Sequence, residues 1–333
     1  MKIVIPGGTG QVGGALRRAL AARGDEVTVL SRRPETLEKG VRHVVWDGRT
    51  WGEWAHEFEG ADAVINLAGR TVSCRYNDAN LRQMMNSRIE STRVVGEAIA
   101  RAAHAPRVWL QASTATIYAD ARSRSDDLPH DESNGIIGGE EPDVPLYWEY
   151  SVRIARRWEE EQAAASTPAT RRVALRTAMV MTPDRGGVFD YLSWLTRLGL
   201  GASVDGGRQY VSWIHGDDFV RAVLFLLEHD ELDGPVIVAS PHPVPQRDLM
   251  RSLRHAWGRR FGLPATRQMA EVGAFALRTD TELLLKSRRV VPGRLLDAGF
   301  TFTHPTWEAA AADLAGQARA LRTRHPAATP TPR

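Results

Sequence analysis

The sequence predicts an α/β protein in which a doubly wound parallel sheet carries a smaller C-terminal substrate lobe. Three observations point there. Short apolar runs alternate with helix-patterned stretches through the first half of the 333 residues. A glycine-rich turn separates the first run from the first helix. From about Thr182 the alternation loosens, broken by Gly186-Gly187, Gly199 to Gly201 and Gly206-Gly207. A composition of 43% hydrophobic and 25% charged residues is that of an ordinary globular chain.

Taken in order, residues 2–5 form a short apolar strand and Gly7 to Gly14 a glycine turn. Ala15 to Arg23 place small and apolar residues at helical spacing. Glu26 to Leu30 and Val41 to Trp46 read as the second and third strands, and Ala61 to Ala68 as a fourth that ends at a glycine. A long helix covers about Asn80 to Ala102, and Arg107 to Ala112 is another buried strand. Regular elements return at Val211 to Leu227 and Pro235 to Ala239. Residues 1–180 are therefore expected to form the nucleotide-binding, Rossmann-type domain, with about 211–240 returning to it. Residues 181–320 form the substrate lobe. The prolines at 326, 330 and 332, among Ala and Thr, predict a disordered tail over 321–333.

Several classes are excluded. The net charge of +3 comes from interspersed residues, so there is no basic face for nucleic acid. No run of about 18 uncharged apolar residues is present, and no membrane association is expected. The chain opens straight into a strand and a glycine turn, without a charged leader or cleavage site. One cysteine, Cys74, rules out a disulfide framework, fits a reducing compartment and reads as structural. A cytoplasmic protein is expected. The ten histidines are scattered and predict no metal site; His130-Asp131-Glu132 sits in a polar loop that reads as solvated. No Gly-x-Ser-x-Gly elbow points to a hydrolase.

The chemistry-bearing motifs lie at predicted strand ends. In Gly7-Gly8-Thr9-Gly10-Gln11-Val12-Gly13, glycines at 7, 10 and 13 allow a tight turn, close approach to a pyrophosphate and close packing of helix on strand. The helix N-terminus directs its free N–H groups at the phosphates. After the second strand come Ser31, Arg32 and Arg33, where an NAD-binding chain places a carboxylate for the ribose 2′-hydroxyl. Guanidinium groups there pair with a 2′-phosphate, which predicts NADP(H); two solvated arginines are the alternative. Asp47, after the third strand, is a candidate for the adenine amino group. Leu67, Ala68 and Gly69 follow the fourth strand with small side chains that let a cofactor lie on the sheet edge. Ser113-Thr114-Ala115-Thr116-Ile117-Tyr118 follows the fifth. Its hydroxyls can bind a substrate carbonyl or cap the next turn.

These residues together resemble the extended short-chain dehydrogenase/reductase superfamily, which includes the nucleotide-sugar epimerases. More narrowly, the chain resembles the atypical epimerase-family subgroup that carries its own C-terminal domain. The stretches behind this are Asn86 to Thr92, Trp158-Glu159, Gly207-Arg208-Gln209 with Ser212 to His215, Glu282 to Leu285, Val291-Pro292 and Leu295 to Phe300. The resemblance implies that Thr114 is the catalytic hydroxyl and that Arg88 lies among the cofactor contacts. A homodimer is the family-level expectation for assembly.

One departure stands out. The superfamily's enzymes use Tyr-x-x-x-Lys on a helix, the lysine lowering the pKa of the tyrosine that transfers the proton. Judging by Glu159, those positions fall close to Ser151 and Ala155, and the chain's lysines are only Lys2, Lys39 and Lys286. Three readings remain: Tyr118 or Tyr150 as proton donor with Arg153 or Arg156 supplying charge, another group such as His215, or NADP(H) binding without turnover. His215 also reads as structural or substrate-orienting, with Asp217 or Asp218 capping the next helix. The expected function is an NADP(H)-dependent oxidoreductase or epimerase-like enzyme acting on a small-molecule carbonyl or alcohol.

Overall fold

The computed structural model describes residues 1–34, 39–123, 127–141, 144–266, 268–269 and 282–324. Six strands come from the first 177 residues: β1 (Lys2–Pro6), β2 (Glu26–Ser31), β3 (Val41–Val45), β4 (Ala63–Asn66), β5 (Val108–Thr114) and β6 (Arg171–Thr177). The strand Gly234–Val238 returns to pair with β6, and the sheet runs in the order Gly234–Val238, β6, β5, β4, β1, β2, β3. Every pairing is parallel. A parallel sheet must be covered on both faces, and the interior strand β1 shows it: Ile3, Val4 and Ile5 are all fully buried.

Successive side chains divide between two cores. Ile3, Ile5, Val29 and Ile65 pack with Leu16 and Leu20 of α1 (Gln11–Arg23) and Phe219 and Val223 of α5 (Gly216–Glu228). Val4, Val64 and Trp109 point the other way, against Val95 and Ile99 of α2 (Asp78–Arg101). Helix α3 (Leu146–Ala164) packs beside α2 on that second face. Asn77 starts α2 by accepting the Asn80 N–H at 2.8 Å.

The chain winds from β1 outward to β3, then crosses back to β4 and winds the other way. That reversal opens a crevice at the C-terminal ends of β1 and β4, where ligands of open parallel sheets collect. Helix α1 starts at Gln11, four residues before the expected Ala15. Strand β6 is one that the sequence reading leaves unassigned, because Arg171, Arg172 and Arg176 obscure its apolar centre. Each of these arginines finds carbonyl or carboxylate partners at the sheet margin.

The C-terminal part is stitched into this frame. Residues 287–291 run as a strap between the loop after β5 and Tyr210 to Ser212. The Ser287 carbonyl accepts from Ala121 N, Tyr210 N donates to Ser287 Oγ, and Ser212 Oγ donates to the Arg288 carbonyl. The last helix, Trp307–Arg324, packs Trp307, Ala311 and Leu314 against Trp213 and against Leu249 and Leu253 of α6 (Gln246–Ala256). It runs past residue 321, where the disordered tail was expected to start, and Arg322 pairs with Asp190 of α4 (Val188–Arg197) at 2.9 Å. Residues 325–333 lie outside the described residues. No helix among the described residues is long and apolar enough to cross a membrane.

Candidate functional site

Because all strands of the sheet are parallel, the sequence motifs converge on one edge. Gly7 leaves β1 with φ +76 and donates its N–H to the Leu30 carbonyl at 2.8 Å. A Cβ on Gly7 would lie 2.6 Å from Ala68 Cα, so the loops after β1 and β4 touch backbone to backbone. A Cβ on Gly13 would come 2.5 Å from the Gly8 carbonyl oxygen, so Gly13 seats α1 on the loop. Gly10 differs. A Cβ there meets nothing nearer than the Gly7 oxygen at 3.9 Å, and the residue is exposed at the N-terminus of α1. The protein itself does not demand a glycine at position 10.

Around this cradle, Gln11 Nε2 donates to Thr182 Oγ1 at 2.6 Å, and Arg17 Nη1 donates to the Gly8 carbonyl at 2.8 Å. Both hold the loop. Thr9 and Val12 are half-buried beside it. At the end of β2, Ser31 is buried and its hydroxyl is fully engaged, donating to the Arg33 carbonyl at 2.7 Å and lying 2.8 Å from His43 Nε2. Arg32 and Arg33 are exposed, and neither has an ion-pair partner among the described residues. Asp47 does not offer itself to a ligand: its oxygens accept Arg49 N, Thr50 N and the Thr50 hydroxyl, closing a local turn.

On the β4 side, Leu67 N donates to the Pro6 carbonyl and Ala68 N to Asn66 Oδ1. Gly69 faces Arg88, whose guanidinium carbon would stand 3.4 Å from a Cβ at position 69. Arg88 lies over the Trp158 ring at 4.8 Å and donates to the Met84 carbonyl. It has no carboxylate partner among the described residues, and burial pushes its guanidinium down to about 10.

The residues expected to carry the reaction separate into two groups. Thr114 ends β5 half-buried, and its oxygen caps the following turn by accepting Thr116 N at 3.1 Å. Tyr150 is also half-buried, with the Arg153 guanidinium over its ring at 4.4 Å. Tyr118, in contrast, is only 2% exposed. Its ring stacks on His130, its hydroxyl accepts from Arg176 at 2.9 Å, and burial pushes the phenol up despite the opposing pull of Arg176. It is a core residue, held with Ser113 in a network around Glu159. His130 is fully buried as well, which corrects the solvated-loop reading of His130-Asp131-Glu132.

His215 is 1% exposed and is itself the N-cap of α5: its Nδ1 accepts Asp217 N at 3.1 Å, so its Nε2–H faces Asp313 at 3.1 Å. Its ring stacks on His304 at 3.8 Å. Burial, reinforced by His304, pushes this imidazole down, so it is neutral, enclosed and structural. Asp218 is no cap for α5 but a fully buried acceptor for Thr303 N and His304 N. His215, His304 and Asp313 approach closely enough to suggest a metal site. The cap on Nδ1 obliges Nε2 to carry the proton, so His215 has no lone pair to give.

Sequence reasoning missed one group. Ser151 Oγ, at the position expected for the superfamily's tyrosine, donates to Glu282 Oε2 at 2.5 Å. Arg288 reaches Thr116 Oγ1 at 3.1 Å, and Lys286 Nζ reaches the Thr116 carbonyl at 3.0 Å. Burial, with Arg288 beside it, pushes Lys286 down to about 8. Ala155 is fully buried. Only the scarcity of lysine hinted that Lys286 was unusual.

Comparison with known proteins agrees with this fold. Residues 3–239 match the NAD dependent epimerase/dehydratase family, and residues 273–314 match a domain of unknown function, DUF1731. The chain is 31% identical over 316 residues to the epimerase family protein SDR39U1 of Bos taurus, covering 93% of this chain and 98% of that one. The crystal structure of human epimerase family protein SDR39U1 (isoform 2) with NADPH superposes with a TM-score of 0.81 at 28% identity, covering 95% of this chain and 99% of that one. A nucleoside-diphosphate sugar epimerase from Corynebacterium glutamicum gives 0.69 at 25% identity, covering 95% of this chain and 58% of that one.

Proposed function

The chain belongs to the NAD dependent epimerase/dehydratase family, and from that footing we propose that it is an NADP(H)-dependent oxidoreductase acting on a small-molecule carbonyl or alcohol. The observation that carries the cofactor choice is the exposed Arg32-Arg33 at the end of β2, without an ion-pair partner among the described residues, beside a glycine loop that is hydrogen-bonded to the Leu30 carbonyl and open at Gly10. The human relative crystallised with NADPH supports the same choice.

In this reading the amides at the start of α1, with Gly7, Thr9, Gly10, Gln11, Val12 and Gly13, hold the pyrophosphate. Arg32 and Arg33 hold the 2′-phosphate, with Ser31 shaping the turn that presents them. Leu67, Ala68 and Gly69 form the floor, and Arg88 adds positive charge beside Gly69. When bound, the nicotinamide supplies or accepts a hydride. Thr114 and Tyr150 are the half-buried polar groups left to orient substrate, whereas Tyr118 and His215 support the site from behind. Titration with NADPH and NADH tests the cofactor assignment. Arg32→Ala weakens NADPH by about tenfold or more while leaving NADH within about twofold, as loss of a charge-assisted contact requires. Equal losses for both overturn it.

A second reading, an NADP(H)-binding protein that reports redox state without turnover, is favoured by Ser151 and Ala155 at the dyad positions. Screening carbonyl compounds for NADPH oxidation separates the two. Consumption above the buffer rate with any of them supports the enzyme, and a saturable NADPH site with none supports the sensor.

A further inference from the structure

The turn after β2 is held from the neighbouring strand β3, by a residue outside both the glycine cradle and the arginine pair. Ser31 Oγ lies 2.7 Å from the Arg33 carbonyl oxygen and 2.8 Å from His43 Nε2. A carbonyl can only accept, so the single hydroxyl proton of Ser31 goes to Arg33. The imidazole must then be the donor at Nε2, and the hydroxyl has no proton left for any other group. Ser31 is buried, whereas His43 is half-buried on β3. The main chain adds a second tie between the same strands, since Trp46 N donates to the Ser31 carbonyl at 3.1 Å.

Ser31 therefore cannot donate to a phosphate while the turn keeps this form. Recognition of a 2′-phosphate falls to the guanidinium groups of Arg32 and Arg33, both exposed. A long exposed side chain is loose at its tip, and it grips an anion well only when its backbone is set beforehand. The bond from Ser31 to the Arg33 carbonyl sets that backbone, and His43 in turn holds Ser31. We propose that His43 is a positioning residue for cofactor choice, acting through the Ser31 hydroxyl to keep the chain at Arg33 in the form that presents the guanidinium pair to a 2′-phosphate. The inference rests on the NADP(H) reading and adds to it a residue of β3, twelve positions from Ser31, that acts at one remove. A nucleotide without the 2′-phosphate makes no use of this arrangement. The effect therefore belongs to the preference for NADPH over NADH, not to NADH affinity.

The full chain and its variants are titrated with NADPH and with NADH by calorimetry. His43→Leu, which fills similar space on β3 without a donor, lowers the preference for NADPH about three- to tenfold, the worth of one net hydrogen bond, and leaves NADH within about twofold. His43→Gln returns an amide N–H near the lost Nε2–H and keeps the preference within about twofold of wild type. Ser31→Ala lowers it as far as His43→Leu does, and the double variant falls no further, because the two residues act in one chain. The proposal is overturned by a His43→Leu protein that keeps the wild-type preference, by losses equal for both nucleotides, which mark a merely structural role, or by a His43→Gln protein no better than His43→Leu. Should His43→Leu fail to fold, an unchanged preference in Ser31→Ala overturns it equally. Failure of the cofactor reading shows in a different arm: a wild-type protein that binds both nucleotides equally, or neither, overturns that reading and this one together. A defect confined to the variant arms leaves the NADP(H) assignment standing.

Discussion

At the scale of single residues, the glycine loop shows how one residue type serves two purposes. Gly13 is demanded by the fold, since a Cβ would sit 2.5 Å from a backbone oxygen. Gly13→Ala should cost about 1–3 kcal/mol of stability, the usual range for overpacking, visible as a lower midpoint in urea. Gly10 has open space before it. Gly10→Ala should cost under about 1 kcal/mol yet weaken NADPH at least tenfold, and unaltered NADPH affinity would sink the role given to that open side. His215 supplies a pH test. Its imidazole is depressed below 6.5 by burial first and by His304 second, against the attraction of Asp217, Asp313 and Asp218. The unfolded chain therefore takes up a proton at this residue before the folded one does. The stability it supports is present above about pH 6.5 and declines as pH falls below that value. His215→Asn, which can still cap α5, should flatten that decline in urea titrations run from pH 7.5 to 5, and an unchanged slope would count against the assignment.

At the scale of elements, strand β6 explains why a stretch rich in arginine can lie inside a sheet. Arg172 donates to the carbonyls of Gln162, Ala163 and Ala165 at 3.3, 2.9 and 2.8 Å, closing the C-terminal turn of α3 with a cation where the helix dipole favours one. Arg172→Leu should cost about 1–2 kcal/mol and speed amide exchange in that last turn while leaving the sheet protected. Exchange that stays as slow as in the wild type would show that the turn does not depend on this side chain. The glycine turn, the first four strands and α2 were legible in the sequence because their apolar periodicity is local. Strand β6 was not, since what makes its arginines tolerable is the carbonyls and carboxylates that other elements present to them, at the end of α3 for Arg172 and after α5 for Arg171.

At the scale of the whole molecule, the terminal helix completes a core distinct from the two that flank the seven-stranded sheet, packing with Phe189, Trp213, Leu249 and Leu253. Trp307 is 2% exposed, meets Trp213 edge-to-face at 5.0 Å and donates its indole N–H to the Leu249 carbonyl. Trp307→Ala should cost about 3–5 kcal/mol, and the full chain should melt in one transition that carries NADPH binding with it. Two separated transitions, with the cofactor site surviving the first, would show instead that the terminal helix folds independently of the sheet.

The order of strands and helices, the cradle at the end of β1 and the arginine pair after β2 were written in the sequence, because each depends on residues within a few positions of one another. The chain could not reveal by itself that Tyr118 and His215 are enclosed. Nor could it reveal that Ser151 and Thr116 are hydrogen-bonded to Glu282 and Arg288 more than a hundred residues away. Burial and hydrogen-bond direction are set by whatever packs against a side chain, and that is decided only when the strap settles beside the loop after β5 and the terminal helix packs on α6 and Trp213.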